Sequence, residues 1–189
     1  MQLNPQADIK RMLTELEKVR VMVCFENLEI IGQTYYPPEQ RFLDMLNNDI
    51  VLGKQRIRDF IIVTDALLVN PDGEKEQIPN PCYISKNSII LIGTFDETRS
   101  TTVENINSFR AYPWRKKTVL PARMMFAGKY RLVGHMHSDP GALPTSTIES
   151  RNRFLPMTNV EVSSPLEQRE IFFDFLAVNN KHISLFQSP

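Results

Sequence analysis

Only two cysteines occur in the 189 residues, Cys24 and Cys82, and they lack CxxC spacing. A disulfide scaffold and a structural zinc site are therefore not expected. Both thiols sit in apolar, strand-like text and read as core residues. The seven glycines are scattered singly, with no G-x-x-x-x-G-K and no G-x-G-x-x-G, so no phosphate-cradling loop is written. There is no G-x-S-x-G elbow for a serine nucleophile. Neither sign of charge is in excess: 22 basic residues face 22 acidic ones, with a pI near 6.8. Bulk attraction to nucleic acid or to a membrane surface is thereby excluded, and any such patch must be local. No apolar run approaches the roughly 18 residues of a membrane span. The start MQLNPQADIKRML has no hydrophobic signal core, so a cytoplasmic protein without membrane association is expected. A hydrophobic fraction of 42% with 23% charged residues is sufficient for an ordinary globular core.

The sequence contains an internal repeat. NLEIIGQTYYPP (27–38) overlays KYRLVGHMHSDP (129–140), placing Gly32 on Gly134 and Pro38 on Pro140 at an offset of 102. FIIVTDALLV (60–69) overlays FLPMTNVEVS (154–163) at an offset of 94, so the second copy is eight residues shorter between these landmarks. The offset of 94 also carries ISKNSIILI (84–92) onto VNNKHISLF (178–186). Three apolar segments thus fit one alignment with a single gap. The expected organisation is an N-terminal amphipathic helix in 1–19, a first repeat over 20–95, a polar linker over 96–118 and a second repeat over 119–189.

Each copy reads as β-rich. VRVMVCF and NLEIIGQTYY carry period-two stretches of β-branched and aromatic residues, and FIIVTDALLV and SIILIGTF read as short buried strands. Turn chemistry separates them at Glu26-Asn27, Gly128-Lys129 and Asn70-Pro71-Asp72-Gly73. The glycine shared by both copies predicts a sharp bend or a close backbone approach inside a strand. QRFLDMLNN and STIESRN predict short helices, the second with Ser146 and Glu149 at capping-box spacing. DIKRMLTELEKV predicts a further helix over 8–19, with Ile9, Met12, Leu13 and Leu16 on one stripe. The fold class is therefore all-β with short helices, as two tandem small barrels. A copy of about 70 residues buries only about 60% of its unfolded surface, so the copies should share an interface.

The helix leading into KVRVMVCFENLEIIGQTY resembles the opening of Sm-like proteins, including the bacterial RNA chaperone of that family. NNKHISLFQSP resembles that chaperone's lysine-histidine strand, at Lys181 and His182. The recurring order of glycine-bearing strand, proline turn, short helix and FIIVTD or FLPMTN strand also resembles a bacterial family of small β-domains of uncharacterised function. These resemblances imply Sm-like or SH3-like barrels, and the first implies contact with RNA at Lys181 and His182. The segment 37–59 is longer than the usual Sm-like connection, and Lys181-His182 aligns with Asn87-Ser88 in the first copy.

Three patches have chemistry to offer. His135 and His137 project from one face of a strand, with Asp139 two residues on, which is a spacing that suits an open divalent-metal site. VGHMHSDPGALPTSTIES loosely resembles the metal-binding segment of JAB/MPN metallopeptidases, although Ser138-Asp139 precede the proline and Ser146 and Glu149 lie one residue too far. The first copy has Gln33, Tyr35 and Pro37 at the matching places, so a polar strand face running into a turn is the reading preferred over a metal cofactor. Arg110, Tyr112, Trp114, Arg115, Lys116 and Lys117 interleave aromatics with cations, the pattern by which single strands are stacked and neutralised. A linker docked by its aromatics is the preferred alternative, and Lys181-His182 reads as a solvated hairpin pair. Acidic pairs such as Glu74 and Glu76 fall in polar turns. The function expected is a non-catalytic binding or assembly module that packs through exposed sheet edges and the N-terminal helix, associating with itself or with a protein partner. Single-stranded RNA binding and a metal-dependent hydrolase at His135, His137 and Asp139 stand as alternatives.

Overall fold

The computed structural model describes residues 13–52, 55–95, 117–126, 129–164 and 169–188. Thirteen strands alternate with two short helices: β1 Glu17–Cys24, β2 Glu29–Tyr36, α1 Phe42–Asn47, β3 Ile50–Leu52, β4 Gln55–Ile57, β5 Phe60–Val69, β6 Lys75–Gln77, β7 Cys82–Ser85, β8 Leu91–Thr94, β9 Thr118–Phe126, β10 Tyr130–Ser138, α2 Pro144–Ile148, β11 Phe154–Ser164, β12 Arg169–Asn179 and β13 Ile183–Gln187. Eleven strands form one open antiparallel sheet in the order β13-β9-β10-β11-β12-β8-β1-β2-β5-β6, with β7 also on β5, while β3 and β4 make a separate hairpin. Where two separate barrels were expected, the ladders run continuously from one half of the chain to the other.

The two halves carry matching registers. Gln33 faces Thr64 across β2 and β5, and His135 faces Thr158 across β10 and β11, the pairs differing by the sequence offsets of 102 and 94. A register shift falls between Ile31 and Gln33 in one ladder and between Val133 and His135 in the other. At those bulges Asp65 and Asn159, again 94 apart, both adopt the left-handed region, with φ of 51° and 50°. Asp and Asn tolerate that region best among residues with a side chain. Gly32 and Gly134 lie against the same bulges. A Cβ on Gly32 would sit 2.6 Å from Val63 Cγ1, and one on Gly134 would sit 2.9 Å from Val160 Cγ2. The predicted close approach is thus what the shared glycine provides.

Several local expectations change. The helix expected over 8–19 does not reach its predicted end: residues 17–19 belong to β1, where Val19, Val21 and Val23 favour a strand. Its residues 8–12 lie outside the described residues. α1 forms as expected, but α2 is capped differently. It starts at Pro144, whose missing N–H suits a first turn, and Ser146 Oγ donates to Leu143 O instead of joining Glu149 in a capping box.

The core is shared across the halves. One cluster joins Val21, Ile61, Ile84 and Ile92 to Met45 and Leu46 of α1, and takes in Phe154 and Ala177 from the second half. The other centres on Met124, Phe126, Leu132, Met157 and Leu176, and takes in Met22, Cys24 and Leu91 from the first. The seam is the β8–β12 ladder, pairing Leu91 with Val178, Ile92 with Ala177, Gly93 with Leu176 and Thr94 with Phe175. Gly93 leaves room there for Phe173: a Cβ would lie 2.4 Å from the ring of that buried residue. Gly93→Ala should therefore cost about 1–3 kcal/mol by overpacking, read as a lower denaturant midpoint with an unchanged slope. An unaltered midpoint would show that the seam is looser than this packing.

Candidate functional site

Alternation along β10 puts His135 and His137 on the half-exposed face, as predicted, with Met136 buried between them. His137 Nε2 hydrogen-bonds Thr158 Oγ1 at 2.9 Å, and the equivalent pair in the first half is Tyr35 OH with Thr64 Oγ1 at 2.8 Å. The imidazole thus occupies the place of a phenol that holds the next strand. Asp139 is ion-paired with Lys117, and Ser138 Oγ bonds Thr147 Oγ1 at 2.9 Å. Among the described residues, no group of three or more His, Cys, Asp or Glu side chains is arranged to hold a metal ion. Burial lowers the His137 pKa, helped by neighbouring His135 and Lys117. His137, Thr158, Asp139, Lys117 and Thr147 line a groove of about 730 Å³ at the seam, which the edge-on aromatics Tyr36, Phe42 and Phe175 also line.

Of the basic aromatic segment, Lys117 alone is described, in its pair with Asp139. Arg110, Tyr112, Trp114, Arg115 and Lys116 lie outside the described residues. Lys181 and His182 fall on a 3-10 turn, Asn180–His182, with Lys181 exposed and His182 Nε2 within 3.2 Å of Asn87 O. This turn is held by its asparagines. The buried Asn179 amide donates to Ile89 O at 2.8 Å, tying the second half to the first, and Asn180 Nδ2 donates to Asn152 O at 2.8 Å. Lys86, 94 residues before Asn180, reaches the matching place below α1 and donates to Met45 O and Asn48 O, both at 2.8 Å. Its burial lowers the pKa to about 8, with Arg153 adding to the effect and Asp49 and Asp59 opposing it. Cys24 is buried and Cys82 half-buried, with burial raising the Cys82 pKa.

Packing through exposed sheet edges is expected from the sequence, which names no strand for them. At one end β7 and β6 have no second strand neighbour, and at the other β13 has none, among the described residues. β6 carries Lys75 and Glu76, but β7 (CYIS) and β13 (ISLFQ) carry no charge. Phe60 is 45%, Tyr83 50% and Leu185 49% exposed. Phe154, 94 residues after Phe60, is fully buried. It is covered by α1 and fixed by Asn47, whose side chain donates to Phe154 O at 2.9 Å and accepts from Phe154 N at 2.8 Å. No sequence pattern separates the two phenylalanines, since each begins the same kind of strand.

Comparison with known proteins finds no match: no protein-family model, curated protein or solved structure shows significant similarity to the chain. No helix among the described residues is long and apolar enough to cross a membrane.

His137→Tyr should fold, because Tyr35 does the same work in the first half. The native His137 pKa lies below the unfolded value of about 6.5, so the unfolded chain takes up the proton first and wild-type stability falls as pH drops through about 6.5. Denaturant titrations at pH 7.5 and 5.5 should show the difference between the proteins moving in favour of the tyrosine variant at the lower pH. An unchanged difference contradicts the buried, neutral imidazole.

Proposed function

We propose that the protein is a non-catalytic assembly module, a duplication of an Sm-like or SH3-like small β-domain, which joins copies of itself head to tail through the ends of its sheet. The observation that carries this reading is the β8–β12 seam. There the edge of the second half pairs antiparallel with the edge of the first. By the offset of 94, β7 is the equivalent of the end of β12: Phe60 pairs with Ser85 and Ile61 with Ile84, as Phe154 pairs with Asn179 and Leu155 with Val178. β13 stands beside β9 as β8 stands beside β1, except that a bulge between Ile183 and Leu185 moves it by one residue, so that Leu185 faces Met125 where Ile92 faces Val23. Each chain therefore ends in the two halves of a contact it already makes once internally. Both lack the charges that commonly guard an open edge.

Repeating the seam between chains would pair Tyr83 of one chain with Leu185 of the next, the equivalents of Ala177 and Ile92: Ile92 faces Val23 on β1, and Leu185 faces Met125, 102 residues on, on β9. It would also bring α2 over Phe60 as α1 covers Phe154. Such a contact is heterologous, so it builds a ring if its rotation closes. Light scattering should give a mass that is a fixed multiple of 21.9 kDa. Phe60→Lys and Leu185→Lys, each at a half-exposed position, should each give single chains. Mixed together they should give a complex of two chains and no larger, because each variant retains the end the other has lost. A single-chain mass for the wild type at high concentration, or association unaffected by either change, contradicts the proposal.

A further inference from the structure

The region between α1 and β5 is where the first half is eight residues longer than the second, and the β3–β4 hairpin lies in this surplus. The second half makes its corresponding strands without it, so the hairpin is not a requirement of the repeat. Arg56 on β4 and Arg58 just after it line a cavity of about 440 Å³, which Arg151 and Arg153 from the loop after α2 also line. Four guanidinium groups from two halves thus face one space.

The local acidic groups do not use up these cations. Asp49 is shared, with Arg56 on Oδ2 and Arg58 at 3.8 Å from Oδ1, and Asp59 accepts from Arg153 at 3.0 Å. Arg151 is exposed and has no partner among the described residues. Four cations against two carboxylates leave two positive charges, and the Lys86 ammonium lies behind the wall at Met45 O and Asn48 O. The nearby amides are engaged, Asn47 on Phe154 and Asn48 on Asp44 O, so the donors left for a ligand are the arginines. A guanidinium offers five N–H donors in a planar fork that matches phosphate oxygens.

We propose that this cavity binds a phosphorylated small molecule, its phosphoryl oxygens held by Arg56 and Arg58 from the first half and Arg151 from the second. A volume of 440 Å³ is within the range of small-molecule sites, and lining from both halves of the chain favours a compact ligand over a long polyanion. The site is independent of the chain ends, because its residues lie at the internal seam. It occurs once per chain, since the second half has no counterpart of the hairpin.

The test is calorimetric titration of the full chain with inorganic pyrophosphate and with ADP at constant ionic strength. Saturable binding of one ligand per chain is expected, weakened about tenfold or more in Arg56→Gln/Arg151→Gln, as for loss of charged hydrogen bonds. Arg56→Lys/Arg151→Lys should bind with intermediate affinity, as point charges without the fork. Both substitutions are on exposed side chains, and an unchanged thermal midpoint establishes that the variants fold. Tighter binding of ADP than of pyrophosphate identifies a nucleotide, and equal binding identifies the phosphoryl group alone as the ligand. Absence of saturable binding, or equal affinity in the double-glutamine variant, overturns the proposal. So does a short single-stranded RNA that binds these arginines far more tightly than either probe.

Discussion

The four residue pairs between β8 and β12 carry the continuity of the sheet, and each hydrophobic cluster depends on them. β8 is a four-residue strand that would have one neighbour, β1, without the seam. The seam gives its other edge a full set of partners and buries Leu91 and Ile92 completely. The same docking brings α1 over Phe154 and lets the Asn47 amide complete that residue's backbone hydrogen bonds. Buried polar groups must find partners or cost about 1–3 kcal/mol each. Asn179 meets that demand across the seam by donating to Ile89 O. The interface is therefore assembled from backbone ladder, apolar cover and amide pins together.

What the sequence made legible follows from which physical signals are periodic. The β1–β2, β5–β6 and β9–β10 hairpins were readable because alternation and turn chemistry are local, and the glycine that the two segments share was readable because the bulge demands a glycine on one strand and tolerates only a few residues on the other. Gly32 with Asp65, and Gly134 with Asn159, meet those two demands in both halves. The end of the N-terminal helix was misplaced because its apolar spacing continues into Val19, where β-branching and a sheet neighbour favour the strand. The α2 cap was misread because Ser146 and Glu149 have the right spacing but Pro144 had already set the helix start.

The sites were less legible, because a side chain's role depends on what faces it across the sheet. His135 and His137 share a face as alternation requires, yet His137 holds Thr158 and Asp139 is paired with Lys117. The His-x-His-x-Asp spacing carried no information about those partners. Arg56, Arg58, Arg151 and Arg153 are far apart in sequence and converge only through the seam. Lys86 has no distinguishing neighbours in the sequence, and its place below α1 gives it two carbonyls to hold. Phe60 and Phe154 look alike in sequence and differ because one half is covered and the other is an end.

The central claim is that the seam inside the chain is also the contact between chains, in the same register. Disulfide trapping of Tyr83→Cys with Leu185→Cys, in a Cys82→Ser background, tests this most directly, because directly opposed cross-strand residues bring their Cβ atoms within about 4.5–5.5 Å on one face. The account predicts rapid cross-linking between chains for this pair and none for Tyr83→Cys with Phe186→Cys, whose side chains point to opposite faces. Equal cross-linking of both pairs, or of neither, would contradict it.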